Sequence, residues 1–182
     1  DLAVARSAFN KAMSEVTAIL DRVSGMGSCD FVTEIAAALP LEIICNMMGI
    51  PKSEEKFVFE RTNTILGAGD PEYTSDPAQI VPSLLRAGAE LSQLVQDLGR
   101  HRRKHPTDDL TSALVNAEVD GERLSDQELG SFFVLLVVAG NETTTNLIAN
   151  SVLALARNPD QLTLLRASPE RIPAALEEFL RY

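Results

Sequence analysis

Apolar residues in the first part of the chain recur at intervals of three and four positions. The first stripe spans residues 9–23 and includes Phe9 and Ile19, a pattern typical of one face of an amphipathic α-helix. Gly25 and Gly27 follow the stripe and are expected to end that helix. A short extended piece is predicted at residues 30–32.

The next segments are also helical in pattern. Pro40 is expected to open a helix that Gly49 closes, and residues 53–66 are predicted to form another helix. Residues 67–81 are rich in Gly, Pro and acidic side chains and are predicted to form a loop of about fifteen residues. Loops of this length in compact domains are usually functional or disordered.

Three more segments follow this loop. Residues 82–104 carry a long apolar stripe and are predicted to form a helix that Pro106 breaks. Residues 108–117 are expected to form a short helix, and Asp120–Gly121 a turn.

The clearest helix start is Ser125-Asp126-Gln127-Glu128, which matches a capping box. The helix is predicted to run to Arg157, a length of about 50 Å at 1.5 Å per residue. Its first half is apolar at every position and is therefore expected to be buried on all sides. Asn158–Pro159 and Ser168–Pro169 predict two further helix starts. Strand signals are weak, so the predicted fold class is mainly α with little or no sheet.

This long helix contains an abrupt polar break. The apolar run Phe132–Ala139 leads into Gly140-Asn141-Glu142 and three threonines, after which apolar residues resume. In one interpretation the helix emerges into solvent at Asn141. In the other the polar residues line an internal site, where Gly140 admits a large group and the threonines open the helix locally, as at a π-bulge.

The segment Ala139-Gly140-Asn141-Glu142-Thr143-Thr144 resembles the (A/G)-G-x-(D/E)-T-(T/S) signature of the cytochrome P450 family of haem-thiolate monooxygenases. Residues 108–140 resemble the H and I helices of bacterial members, and residues 154–182 resemble their J and K helices. Residues 30–32 and 39–51 resemble the D–E region. The resemblance implies the central part of the P450 fold, built around a long buried I helix.

The resemblance also implies roles for individual residues. Ala139, Gly140 and Thr143 are expected to lie against the haem. Glu142 and Thr143 are expected to be the acid–alcohol pair that delivers protons during oxygen activation, a task that requires a hydroxyl and a carboxylate within reach of the reacting group. Thr144 is expected to stabilise the helix.

Other parts of the chain match further family features. Glu178 and Arg181 resemble the E-x-x-R motif of the K helix, which has a structural role; without the family context they are an ordinary i,i+3 ion pair. Residues 61–73 resemble the F helix and the mobile F–G loop. By this resemblance Ile65 and Leu66 are expected to contact substrate, and Leu136 of the long helix is a further candidate.

The charge and composition of the chain argue against several classes of partner and site. The 182 residues carry a net charge of -10, which argues against binding to nucleic acid. With two cysteines and two histidines the chain has no disulfide framework and little material for a metal site of its own. No membrane span and no signal peptide are expected, which favours a cytoplasmic protein.

Two local signals have simpler explanations. His101 and His105 are four residues apart, but they lie among arginines and a lysine, and a basic helix end that complements the helix dipole is the favoured interpretation. Cys29 and Cys45 are interpreted as buried or half-buried small residues rather than as metal ligands.

The domain prediction is a single partial domain over residues 1–182. The family's axial cysteine loop and its N-terminal part, with haem-propionate contacts, are expected to lie outside the chain. The resemblance implies a parent enzyme that uses haem b and O₂ to insert one oxygen atom into a C–H bond of a lipophilic substrate. Electrons would come from NAD(P)H through a ferredoxin- or flavodoxin-type carrier.

The piece alone is expected to be inactive, to bind haem incompletely or not at all, and to oligomerise through exposed core faces. A non-catalytic helical binding or regulatory module is the alternative, and a truncated product without function is a third possibility.

Overall fold

The computed structural model describes residues 2–68, 70 and 76–181 and confirms a mainly α fold. Within that part of the chain the only β pairing is the isolated bridge between Val119 and Glu122, around the predicted turn at Asp120–Gly121. The α-helices are α1 (Leu2–Ser24), α2 (Ala38–Met48), α3 (Glu55–Leu66), α4 (Pro77–Lys104), α5 (Leu110–Asn116), α6 (Asp126–Arg157), α7 (Pro159–Ala167) and α8 (Ile172–Phe179). A π-helical turn covers Val32–Ala36, and 3₁₀ turns cover Lys52–Glu54 and Pro169–Arg171.

Helices α4 and α6 form an antiparallel pair at the centre of the fold. Arg103 near the end of α4 pairs with Asp126 at the start of α6. Further along, Gly99 of α4 faces Leu129, and Gly130 of α6 faces Ser92. The contacts occur in opposite order along the two helices, so the helices are antiparallel. Their backbones come close at Gly99 and Gly130, where there is no side chain to separate them.

The core surrounds this pair and draws on α2, α3 and α5. Phe133 and Val137 of α6 are fully buried in it, as are Leu91 and Val95 of α4. The remaining members of the buried cluster are Leu41, Ile44, Cys45, Met48, Ile50, Val58, Val115 and Leu129.

The start of α4 differs from the prediction. The helix begins at Pro77, because the Asp76 side chain accepts a hydrogen bond from the Ala78 N–H at 3.0 Å and caps it. Pro82, which the sequence suggested as the boundary, lies inside the helix. Residues 69 and 71–75 of the predicted loop lie outside the described residues.

The predicted extended piece at residues 30–32 was wrong. The Asp30 side chain accepts from the Thr33 N–H at 2.8 Å and its carbonyl accepts from the Glu34 N–H at 3.0 Å. These bonds start a helical turn at Phe31 that continues into the π-helical turn and α2.

The predicted boundaries of α6 are confirmed. Ser125 and Glu128 form the reciprocal hydrogen bonds of a capping box, and the helix ends at Arg157. The expected burial on every side was wrong, because no described element covers the face that carries Phe132 and Leu135, which are 37% and 66% exposed.

Among the described residues, α6 is also the one helix long and apolar enough to cross a membrane by length and composition. A core helix of a soluble protein meets the same criterion, and Phe133 and Val137 of α6 are fully buried, so this is weak evidence. The expected absence of a membrane span stays a prediction.

Candidate functional site

Four residues of α6 form an exposed stripe that we call the open face: Leu135, Ala139, Glu142 and Thr143. Their spacing of i, i+4, i+7 and i+8 places them on one side of the helix. The open face therefore joins two apolar side chains to one carboxylate and one hydroxyl, and it includes the predicted acid–alcohol pair.

Thr143 bonds to its own helix without opening it. Its Oγ1 donates to the Ala139 carbonyl oxygen at 2.8 Å, and α6 stays α-helical throughout the polar break. The hydroxyl oxygen keeps its lone pairs and can still accept a hydrogen bond. The back-bond from a threonine is thus present, but the local π-bulge considered in the sequence interpretation is not.

The polar break is neither fully solvated nor fully internal. Asn141 is 3% exposed, and its Oδ1 is buried without a hydrogen-bond partner among the described residues. The Oγ1 of Thr145 is also buried and unpartnered in that part of the chain. Glu142 and Thr143 face outward. Neither interpretation holds as it was made, because the helix does not emerge into solvent at Asn141 and does not open at the threonines.

Gly140 faces the fold rather than the open face. A Cβ atom at this position would lie 3.1 Å from the Cδ1 atom of Ile44. The close approach of α2 explains why a small residue is needed there, because a larger side chain would push Ile44 out of the core. Of the predicted haem contacts, Ala139 and Thr143 lie on the open face and Gly140 packs against α2.

An open cavity of about 590 Å³ lies between α4 and α6, with α3 at its side. We call it the α4–α6 cavity. Its walls are mostly apolar, and its lining includes Ile65, Leu85, Ser92, Ser131, Leu135 and Val138. Leu135 belongs both to this cavity and to the open face, so the two regions are continuous.

The three predicted substrate contacts occupy different places. Ile65 lines the α4–α6 cavity. Leu136 is half-buried and packs against the core, and Leu66 is half-buried outside the residues that line the cavity. Sequence reasoning missed Leu135 and Val138, because in a run where every position is apolar the pattern does not show which side of the helix faces the cavity. It also did not single out Leu85 from the other leucines of α4.

The E-x-x-R pair forms an exposed ion pair in this chain. Arg181 Nη1 lies 3.2 Å from Glu178 Oε1, with the two side chains 75% and 64% exposed. A pair this exposed contributes little stability by itself. Glu178 also lines a smaller cavity of about 400 Å³ between α6, α7 and α8.

The two cysteines differ in exposure and in the character of the thiol. Cys45 is fully buried, and burial raises the pKa of its thiol to about 12, so the thiolate that a metal needs is disfavoured. Cys29 is exposed, which corrects the expectation that it is at least half-buried. No group of three or more metal-binding side chains occurs in the described part of the chain.

The basic end of α4 has a structural role that the sequence did not reveal. Arg102 pairs with Asp109 at 2.6 Å, and Arg100 and Arg103 both pair with Asp126. The arginines therefore tie α4 to the starts of α5 and α6 rather than pointing freely into solvent. The rings of His101 and His105 lie 4.9 Å apart.

The residues present fit one side of a haem. A flat macrocycle needs a face with small side chains over its centre, and Ala139 and Thr143 supply such a face next to apolar Leu135. The open face could therefore hold the distal side of the group. The described residues offer no ligand for the opposite side.

Comparison with known proteins defines the class of the fold. No protein-family model matches the chain. The structure of Mycobacterium marinum cytochrome P450 CYP268A2 in complex with pseudoionone superposes with a TM-score of 0.90 at 36% identity, over 97% of this chain and 43% of that chain. The helices are thus arranged as in a cytochrome P450.

Two relatives support the same assignment by sequence. The chain is 49% identical over 154 residues to the methyl-branched lipid omega-hydroxylase of Mycobacterium tuberculosis, which is 84% of this chain and 35% of that protein. It is 36% identical over 170 residues to the steroid C26-monooxygenase of Mycolicibacterium smegmatis, which is 93% of this chain and 38% of that protein. The chain belongs to the cytochrome P450 family and spans little more than a third of the length of these curated relatives.

Proposed function

We propose that this chain is the oxygen-activating and substrate-contacting segment of a cytochrome P450 monooxygenase. The proposed reaction inserts one oxygen atom into a C–H bond of a lipophilic substrate. The observation that carries the proposal is the open face of α6, where Glu142 and Thr143 stand beside Ala139 at the end of an apolar cavity.

The chain's own residues have three tasks in this proposal. Ala139 and Thr143 provide the small surface against which the haem fits, and haem, when bound, supplies the redox chemistry of oxygen insertion. The Thr143 hydroxyl, whose O–H donates to the Ala139 carbonyl in this structure, would turn its proton to the reacting oxygen, and the exposed Glu142 carboxylate would renew that proton from solvent. The apolar wall formed by Ile65, Leu85 and Val138 binds the substrate and excludes water.

The proposed substrate class is a lipid with a long or branched hydrocarbon chain. A mostly apolar cavity favours such a molecule. Support also comes from the relatives, one of which is named a methyl-branched lipid omega-hydroxylase and another a steroid C26-monooxygenase. Electrons are proposed to come from NAD(P)H through a ferredoxin- or flavodoxin-type carrier, in a cytoplasmic protein.

The test uses the full-length protein that contains this segment, supplied with haem, a redox partner, NADPH and a branched-chain lipid under ¹⁸O₂. Mass spectrometry is expected to find product carrying one ¹⁸O atom. Product labelled from water, or no product together with no bound haem, contradicts the proposal and favours the non-catalytic helical module.

A further inference from the structure

The α4–α6 cavity has hydroxyl groups at one end only. Ser92 of α4 and Ser131 of α6 both line it, close to the contact between Ser92 and Gly130. Leu85 and Val138 lie at the other end, because the two helices run antiparallel. The cavity is therefore polar at one end and apolar at the other.

One side of α6 leads from the polar end of the cavity, past its apolar end, to the open face. Ser131, Leu135, Val138 and Glu142 are spaced at i, i+4, i+7 and i+11, so they follow one side of α6. Eleven residues of helix separate Ser131 from Glu142 by about 17 Å along the axis. A molecule that lies along this side can contact the serines with one end and the acid–alcohol pair with the other.

Both serine hydroxyls are free to donate a hydrogen bond. The hydroxyls of Thr62 and Thr145 have no hydrogen-bond partner among the described residues, while those of Thr17, Thr64, Thr143, Ser151 and Thr163 donate to the carbonyl four residues earlier. Ser131 makes no such bond to any described residue, and Ser92 only accepts one, from Gln96 Nε2 at 2.9 Å. Each serine thus keeps an O–H for a group in the cavity.

The charge of the lining points to a neutral partner. None of the residues that line the cavity is charged. A carboxylate placed there would lose its hydration without gaining an opposite charge, whereas a neutral oxygen needs only the hydrogen bonds that two hydroxyls can donate.

We propose that Ser92 and Ser131 bind the neutral oxygen end group of a long-chain lipid, such as an alcohol or an ester carbonyl, and so direct the far end of the chain to Glu142 and Thr143. This inference rests on the proposed function and adds to it the substrate class and its orientation. Ser92 and Ser131 are specificity-determining residues, and they take no part in the oxidation.

The test compares two probes in the full-length protein: a straight-chain primary alcohol and the alkane with the same number of carbons. Equilibrium dialysis gives the dissociation constant of each probe, and mass spectrometry gives the position of oxidation. The wild-type protein is expected to oxidise the alcohol at the end remote from its hydroxyl. Ser92→Ala and Ser131→Ala should each weaken alcohol binding roughly 2- to 10-fold and leave alkane binding unchanged.

The matched control is Ser151→Ala, because Ser151 is on the same helix and donates to the Leu147 carbonyl instead of a ligand. It should change neither dissociation constant. The double variant Ser92→Ala/Ser131→Ala should also lose the preference for the remote end of the alcohol.

Two outcomes overturn the inference while leaving the proposed function in place. In one, the serine variants weaken the binding of both probes equally or of neither probe, as expected if another part of the whole protein fills the cavity. In the other, the wild-type protein oxidises the alcohol without preference for an end. A wild-type protein that binds haem and oxidises neither probe nor a branched-chain lipid contradicts the proposed function itself.

Discussion

The end of α2 depends on the backbone of Gly49. This residue has φ +72°, and a Cβ atom there would overlap the carboxylate of Asp109. Gly49→Ala is therefore expected to cost the left-handed strain of about 1–2 kcal/mol and, in addition, the displacement of Asp109. Urea unfolding of the chain measures the loss.

Gly27→Ala is the matched control, because Gly27 has φ +70° and open space around its Cα. Its loss in free energy of unfolding should reflect the backbone strain alone. Equal losses for the two variants would mean that the contact between Gly49 and Asp109 contributes nothing.

Asp109 makes the stability of this corner depend on pH. Burial alone would raise the pKa of the Asp109 carboxyl, but hydrogen bonds from Thr107, the Ser112 N–H and Arg102 outweigh it and hold the pKa below the ordinary 3.8. A lowered pKa in the folded state gives stability that is present above pH 3.8 and is lost as the pH falls through the folded value.

The prediction concerns Asp109→Asn. The variant should be less stable than the wild type at pH 7, and the difference should shrink as the pH falls below 3.8 and through the lowered pKa of the Asp109 carboxyl. Asp108→Asn, at an exposed neighbour, should show no such trend. A difference for Asp109→Asn that stays constant over this range contradicts the role of the ionised carboxylate.

The sequence pattern singles out the proposed acid–alcohol pair but not every contact around it. Glu142 and Thr143 follow an apolar run and stand out by polarity, and the structure places both on the open face. Leu135 and Leu136 are chemically identical and differ only by about 100° around the helix. Their separate positions, one at the cavity and one at the core, are set by how α4 and α2 pack on α6, which the apolar run does not encode.

Two glycines of α4 should respond in opposite directions to the same substitution. Gly99 faces Leu129 and Val115, so the methyl group of Gly99→Ala would collide with the core and destabilise the α4–α6 pair by roughly 1–3 kcal/mol. Gly88 has open space within 4 Å, so Gly88→Ala should stabilise the helix by about 0.5–1 kcal/mol.

Thermal or urea unfolding of both variants gives the comparison. A gain in stability for Gly99→Ala, or a loss for Gly88→Ala, would contradict the described packing of α4 against α6.

Helix starts were predictable where the sequence offers a single capping pattern, and not where two possible starts compete. The start of α6 follows from Ser125 and Glu128, whose mutual hydrogen bonds the structure contains. The start of α4 was missed because both Pro77 and Pro82 are acceptable in a first turn by sequence alone. The Asp76 cap selects Pro77, and the helix then accommodates Pro82 in its second turn.

The chain by itself should not retain haem. It offers one face for the group, and the cysteine in its core has a thiol pKa raised to about 12 by burial. After mixing with haem, reduction and addition of carbon monoxide, the purified 182-residue chain should lack the Soret band of a thiolate-ligated haem. The appearance of that band in stoichiometric amount would contradict this prediction.

Exposed apolar residues are expected to make the isolated chain associate with other copies of itself. Phe9, Leu85 and Leu135 are each more than 60% exposed, and such side chains on several helices favour association in water. Sedimentation of the chain should show species larger than 19.7 kDa at micromolar concentration. A monodisperse monomer would contradict this prediction and would mean that the exposed apolar side chains do not cause association.

The central claim is that Thr143 on the open face delivers protons for oxygen insertion. The most direct measurement is the ratio of product formed to NADPH consumed in the full-length protein, for the wild type and for Thr143→Ala. Thr163→Ala is the matched control, since Thr163 makes the same 2.8 Å bond to the carbonyl four residues earlier but lies on α7. The account predicts that Thr143→Ala lowers the ratio severalfold while Thr163→Ala keeps the wild-type value. An unchanged ratio in Thr143→Ala would contradict it.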